Sequence, residues 1–298
     1  RSSAASDVYK RQDGGRHIPA AFYPRYFAAW GEKCAAVKLA HAAGAAIEDP
    51  SDYPAARRAI AAAFPEELDF LRGLPHIYRN DDYLFVHGGV PREERLEELE
   101  AHGCMKNDDF LGQGHSFRRW VVVGHWPVTL YHPDIPSAKP ILLSDRHIAS
   151  IDGGCTLKVD GQLNALILPE EPGGQFSYLA YDGNEVMTAL DPQAPSADPI
   201  NIRWGRSRLE VLERGTEFCR CRHLESGREL DILTSYLRED EGGVYCEDST
   251  DYRLPVTAGE RLSIVRRTSR GTLAKKDGAT GWYFGRLSAP GDGRSPSV

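Results

Sequence analysis

Hydrophobic and polar positions change their rhythm twice along the chain. Across residues 17–47 apolar positions recur three and four apart, with Phe22, Tyr26, Phe27 and Trp30 among closely spaced alanines, which predicts helix. "YPAARRAIAAAF", residues 53–64, predicts a second helix. "PEELDFLRGLP", residues 65–75, predicts a third: Pro65 suits the first turn, Glu66 and Glu67 suit the positive end of the helix dipole, and Gly73 and Pro75 stop it. The period then shortens. "YLFVHGG", "WVVVGHWP", "PILLSD", "IASIDGGC" and "QLNALILP" are short apolar runs bounded by Gly, Pro and Asp, and they predict strands, several buried on both faces. Between the first two, "PREERLEELEAHG" predicts an amphipathic helix ended by Gly103.

"DPQAPSADP", residues 191–199, carries three prolines in nine residues and is expected to be a linker. Beyond it the pattern alternates in "RLEVLERG", "TEFCRCRHL", "ELDILTSYL", "RLSIVRRT" and "GWYFGRL", which predicts a small all-β barrel or sandwich. Charge shifts at the same place: residues 1–200 hold 19 Lys or Arg against 28 Asp or Glu, and residues 201–287 hold 16 against 14. The expected class is mixed α/β, with no internal repeat.

Composition narrows the function. A chain of 298 residues suffices for one large domain or two smaller ones. A net charge of -7 argues against a general nucleic-acid binder, and no apolar stretch reaches bilayer-spanning length, so neither nucleic acid nor membrane is an expected partner. Six scattered cysteines fit a reducing, cytoplasmic compartment better than a disulfide framework. The opening "RSSAASDVYKRQDGG" has no initiator Met, no hydrophobic period and no apolar centre, so it is not a signal peptide. Residues 1–12 are expected to be non-native read-through and 291–298 a disordered tail.

Two segments share one design. His87 follows "YLFV" and precedes Gly88 and Gly89; His125 follows "VVV" and Gly124 and precedes Trp126 and Pro127. Each puts an imidazole at the exit of a strand beside glycine, where ligands collect in open α/β sheets and where neighbouring strands can converge on one ion. "SIDGGC" repeats the shape with Asp152. The alternative is a pair of turn histidines satisfied by local hydrogen bonds.

"FVHGGVP", then "VVVGHWPV", then "SIDGGC…DGQLNALIL", resembles the second half of the phosphoprotein-phosphatase branch of the calcineurin-like metallophosphoesterases, which includes bacterial serine/threonine phosphatases. The helix ending in "LP" before "FVHGG" matches that family's lead-in, and the resemblance spans residues 17–170. It implies an αββα sandwich holding two divalent ions (Mn, Fe, Zn or Co), with His87 and His125 as ligands of one of them. It implies a metal-activated hydroxide attacking a phosphoryl group of a phosphoprotein or nucleotide substrate. Asp152 and Gly153 would lie near the site as structure, not as ligands. The glycines after His87 would leave room for metal, water and phosphate. The family's first three blocks, GDxHG, GDxxDRG and GNH(D/E), do not occur in residues 1–82, so no catalytic residue is assigned and the chain is expected to be an inactive, N-terminally truncated piece. Where bacterial members carry an Arg between the two histidine motifs, this chain has "CMKNDDFL", with Lys106 as a point-charge phosphate contact or a solvated lysine. "DDF" there is expected to start a helix.

Residues 13–190 are therefore expected to form the partial metallophosphoesterase domain, 191–199 a linker, and 200–290 an SH3-like β domain, which "LPVTAGERLSIVRRTSRGTLAKKDGATGWYFGRL" resembles. That resemblance makes Trp282 and Tyr283 candidates for binding an extended peptide, with core aromatics as the alternative. A second function follows from it: a binding or regulatory protein whose β domain captures peptide or cell-wall ligands. "CRCRH" places Cys219, Cys221 and His223 on one strand face, with Cys246 a possible fourth zinc donor, against small buried cysteines as the ordinary reading.

Overall fold

The computed structural model describes residues 34–47, 50–155, 157–171 and 173–288. The part of the expected 17–47 helical stretch before residue 34, the expected read-through 1–12 and the expected tail 291–298 lie outside them. The chain divides into two units, Arg1–His76 and Ile77–Val298. The first holds α1 (Ala35–Ala42), α2 (Tyr53–Ala63) and α3 (Pro65–Gly73). Their apolar stripes meet in a core of Val37, Ala40, Ala56, Ile60 and Leu68. Phe64 breaks the helical path with φ -132, and Pro65 restarts it in the first turn, where a missing N–H costs nothing.

The second unit is mostly strands. β1 (Ile77–Arg79), β2 (Tyr83–Val86), β3 (Trp120–Val123), β4 (Ile141–Leu143) and β5 (Ile148–Ser150) form one sheet in the order β1-β2-β3-β5-β4. β2, β3 and β5 run parallel, and β1 and β4 pair antiparallel at the edges. Leu84, Val86, Val121, Val123 and Ile148 face a core closed by Val90, Leu96, Cys104, Phe110 and Leu111. Val122 and Ala149, on the other face, are also buried, as continuous apolar runs in parallel strands require.

"PREERLEELEAHG" does not form the expected single helix. It gives a 3-10 turn over Leu96–Glu98 and a short α4 over Ala101–Met105, which runs through Gly103. The Glu93 carboxylate is used elsewhere: it accepts the backbone N–H groups of Arg118 and Arg119 at 2.7 and 3.0 Å. Partial burial works against its charge, but those two amides and the Arg119 guanidinium outweigh it and hold Glu93 below the usual range. Arg95 then turns through φ 49, outside any helix. β6 (Leu163–Ile167) pairs with β7 (Ser177–Tyr181) as a separate ribbon. It is not the buried strand expected: Leu163, Ile167, Leu179 and Tyr181 share one face and all are exposed.

The remaining strands make three further sheets, and the described residues form no closed barrel. β9 (Asn201–Ile202) pairs with β15 (Ser249–Thr250). β10 (Arg208–Glu213), β11 (Phe218–His223), β12 (Glu229–Leu233), β13 (Leu237–Asp240) and β14 (Gly243–Cys246) form one sheet in the order β12-β11-β10-β14-β13. β8 (Glu185–Thr188), β16 (Arg261–Arg267), β17 (Thr272–Lys276) and β18 (Ala279–Tyr283) form another in the order β18-β17-β16-β8. Pairing thus crosses the segment expected to be a linker, since β8 precedes it and β16 follows. The segment itself is laced down: Gln193 donates to the carbonyls of Leu254 and Trp282 at 2.8 and 2.7 Å, and Asp191 pairs with Arg286 at 2.8 Å.

One buried charge anchors this region. Lys275 on β17 is 3% exposed, lies 3.1 Å from Asp182 just before β8, and donates to the Gly161 carbonyl at 3.3 Å. Asp182 also accepts the Ser263 hydroxyl at 2.7 Å and the Asn184 amide at 3.1 Å. Burial alone would raise its pKa; the Ser263 and Asn184 hydrogen bonds and Lys275 together lower it.

Candidate metal centre at the sheet edge

Because β2, β3 and β5 are parallel, their carboxyl ends share one edge of the sheet. Each chain segment leaves that edge through the residues singled out in the sequence. His87 follows β2, Gly124 and His125 follow β3, and Asp152 follows β5. The Gly124 amide donates to the His87 carbonyl at 2.8 Å, extending the ladder one step past the strands. The His87 and His125 rings lie side by side, centroids 5.2 Å apart and planes at 60°.

His125 occupies the left-handed region at φ 66, unusual for a residue with a Cβ and a cost of about 1–2 kcal/mol. The tight turn from Trp126 N–H to the Gly124 carbonyl, 2.8 Å, fixes that conformation. On the other side His125 Nε2 lies 2.8 Å from Asp108 Oδ1. A carboxylate oxygen here is the acceptor and Nε2 the donor, and in the neutral ring Nδ1 then carries the lone pair. A histidine oriented by a carboxylate through one nitrogen and free at the other has the form of a metal ligand with its supporting shell. The helix start expected at "DDF" is present as a 3-10 turn over Phe110–Gln113 with Asp109 at its N-cap, and Asp108, outside it, meets His125 instead.

Gly88 and Gly89 do not hold space open for a ligand. A Cβ on Gly88 would stand 2.9 Å from Asn107 N and Met105 O, and one on Gly89 would stand 2.4 Å from the Phe110 ring. Their amides donate to the Cys104 carbonyl at 2.7 and 3.3 Å. The glycines let the 104–110 loop lie against the strand exit, which carries Asp108 to His125. Lys106 sits in this loop, half-buried, its amide bonded to the His102 carbonyl at 2.8 Å.

Asp152 is occupied as structure. Its Oδ1 accepts the Gly154 amide and its carbonyl accepts the Val128 amide, both at 2.8 Å. Just beyond it Lys158 forms an ion pair with Asp248; burial lowers the Lys158 pKa, opposed by the charges of Asp160 and Asp152. The turn after His125 is held from a distance. Asn201, 2% exposed, donates its side-chain amide to the carbonyls of Thr129 and His132 at 3.1 and 2.7 Å, and its backbone N–H to Pro133 at 2.8 Å. Arg203 Nε donates to the Leu130 carbonyl at 2.9 Å.

Among the described residues no group of three or more His, Cys, Asp or Glu converges as a metal cage. The histidine pair therefore offers part of the donor set for one ion, and the described residues do not form a two-ion centre.

The other candidates fall elsewhere. Tyr283, expected as a surface peptide contact, is fully buried, and its hydroxyl donates to the Asp191 carbonyl at 2.8 Å. Trp282 is partly buried and donates Nε1 to the Thr250 carbonyl at 2.8 Å. Both act as core aromatics. Cys219, Cys221 and Cys246 are free and buried, with burial pushing Cys221 up to about 11 and Cys246 up to about 12. Both ring nitrogens of His223 are engaged, Nε2 with the Arg206 carbonyl and Nδ1 with the Ser226 hydroxyl, each at 2.8 Å. No nitrogen is left there for zinc. No helix among the described residues is long and apolar enough to cross a membrane.

Comparison of the chain with protein-family models, with characterised proteins and with solved structures found no match.

Proposed function

We propose that this chain is part of a metal-dependent phosphoesterase of the calcineurin-like type, in which His87 and His125 ligate one divalent ion at the carboxyl edge of the parallel sheet. The observation that carries the reading is the 5.2 Å ring pairing at adjacent strand exits, with His125 oriented by Asp108. In such an enzyme the ions lower the pKa of a bound water and clamp the phosphoryl oxygens during in-line displacement. The substrate class is a phosphoprotein or a nucleotide. The reading also takes residues 13–190 as part of an αββα sandwich and residues 200–290 as an SH3-like β domain, although the described strands close no barrel.

Two histidines with one supporting carboxylate bind an ion weakly, and the described residues hold no second one, so no turnover is expected from this chain. The test has two parts. Titration with Mn by calorimetry should show a single weak site that His125→Ala removes; unchanged binding in that variant sinks the assignment. Hydrolysis of p-nitrophenyl phosphate with Mn, lost in His125→Ala, would overturn the inactivity and keep the metal site. The peptide-capture reading loses Tyr283, which is inside the core, and keeps only the partly buried Trp282.

A further inference from the structure

An aromatic pair adjoins the second histidine along the chain. Trp126, next in the chain after His125, meets Trp204 edge to face, ring centroids 5.5 Å apart at 77°. Trp204 comes from the far part of the chain, at the tip of the turn Arg203–Arg206. The Arg206 amide closes that turn on the Arg203 carbonyl at 2.9 Å, and Gly205 supplies its positive φ of 80. Trp204 is nonetheless 64% exposed, an unusual place for the largest apolar side chain.

The turn is not a loose tip. Arg203 is bonded to Leu130, Asn201 to Thr129 and His132, and the Trp204 amide to Asp248 Oδ1 at 3.0 Å, with Asp248 paired to Lys158. These bonds fasten an exposed indole to the loop that carries His125. An edge-to-face contact sets the rim of one ring on one face of the other, so at least one face of the Trp204 indole is left for stacking.

We propose that Trp204, backed by Trp126, is a stacking subsite for the flat aromatic ring of a phosphate ester whose phosphoryl group lies at the His87–His125 pair. The proposal rests on the phosphoesterase reading for the phosphoryl end and on the tryptophan geometry for the ring. Two sources supply this chemistry, a nucleobase and a phenyl ring. Stacking one ring on an exposed indole is worth about tenfold in affinity.

The test uses the whole chain with Mn, titrated by calorimetry and by tryptophan fluorescence with AMP, phenyl phosphate, ribose 5-phosphate and inorganic phosphate. At least one ring-bearing ester should bind about tenfold tighter than the ringless ligands and quench fluorescence; whether AMP, phenyl phosphate or both do so identifies the source. Trp204→Ala should erase that preference and leave inorganic phosphate binding unchanged, and Trp204→Phe should keep most of it. A preference that survives Trp204→Ala, equal binding of all four ligands, or no binding of either ring-bearing ester overturns the subsite. His125→Ala separates the two readings. If ring preference persists while phosphate binding never depended on Mn or His125, the subsite stands and the phosphoesterase reading falls. Mn- and His125-dependent phosphate binding without ring preference gives the reverse.

Discussion

Asp108 Oδ1 and His125 Nε2 meet at 2.8 Å across seventeen residues of chain, and this contact decides which nitrogen of His125 is available. The imidazole is 12% exposed and the carboxylate 63%, so the pair bridges the sheet edge and solvent.

On the proposed metal reading, removing the carboxylate should weaken Mn binding without unfolding the protein. Asp108→Ala is expected to lower Mn affinity by about 10- to 100-fold. Its stability should stay within about 0.5 kcal/mol of the parent, as for an exposed site. Calorimetric titration beside urea unfolding reads both; unaltered Mn affinity would show that Asp108 plays no orienting part.

The glycines after His87 give a stability prediction. Gly89→Ala places a Cβ against the Phe110 ring at φ 137, combining overpacking with backbone strain, for a loss of about 2–4 kcal/mol. Gly114→Ala is the control: it has φ 80 and open space, so it carries strain alone, about 1 kcal/mol. Equal losses in urea unfolding would show that the contact with the 104–110 loop contributes nothing.

The buried Asp182–Lys275 pair predicts acid sensitivity. The folded state holds the Asp182 pKa below its ordinary value, near 3.9 in an unfolded chain. Its contribution is complete above that value and is lost as pH falls through the lower folded one. Asp182→Asn should lower stability at pH 7, because Lys275 is left buried and uncompensated, and should flatten the dependence below about pH 4. Denaturant midpoints of parent and variant across that range, if parallel, would exclude Asp182 as a source of the acid response.

Thiol chemistry tests the cysteine burial directly. Cys155 is exposed, while Cys34, Cys104, Cys219, Cys221 and Cys246 are buried and free. A disulfide-exchange reagent should titrate one thiol rapidly in the native protein and six after denaturation. Two or more fast thiols would contradict the burial of at least one of those five cysteines.

Local rules made α2, α3, the strand runs and the two histidine exits legible, because each depends on residues within one element. What escaped was decided by distant partners. The amphipathic pattern of 91–103 is real, but Glu93 is recruited to the backbone of Arg118 and Arg119, and the helix yields. β6 alternates as a strand should, yet its apolar face meets no partner among the described residues. Glycine beside histidine suggested space for a ligand; the space is filled by the loop that brings Asp108. Asp108 had one readable signal, a carboxylate between the two histidine motifs. Trp204 and Asn201 had none, since only the fold brings them beside residues seventy positions earlier.

The clamp from Asn201 and Arg203 has a consequence for biosynthesis. During translation the strand bearing His125 emerges long before its last fastenings exist. The carbonyls of Thr129, Leu130 and His132 must wait in water, or with temporary partners, until residues 201–203 clear the ribosome. A nascent chain stalled between these points would own both histidines and still lack the bonds that fasten the loop after one of them, so the setting of His125 is completed only once residues 201–203 have emerged.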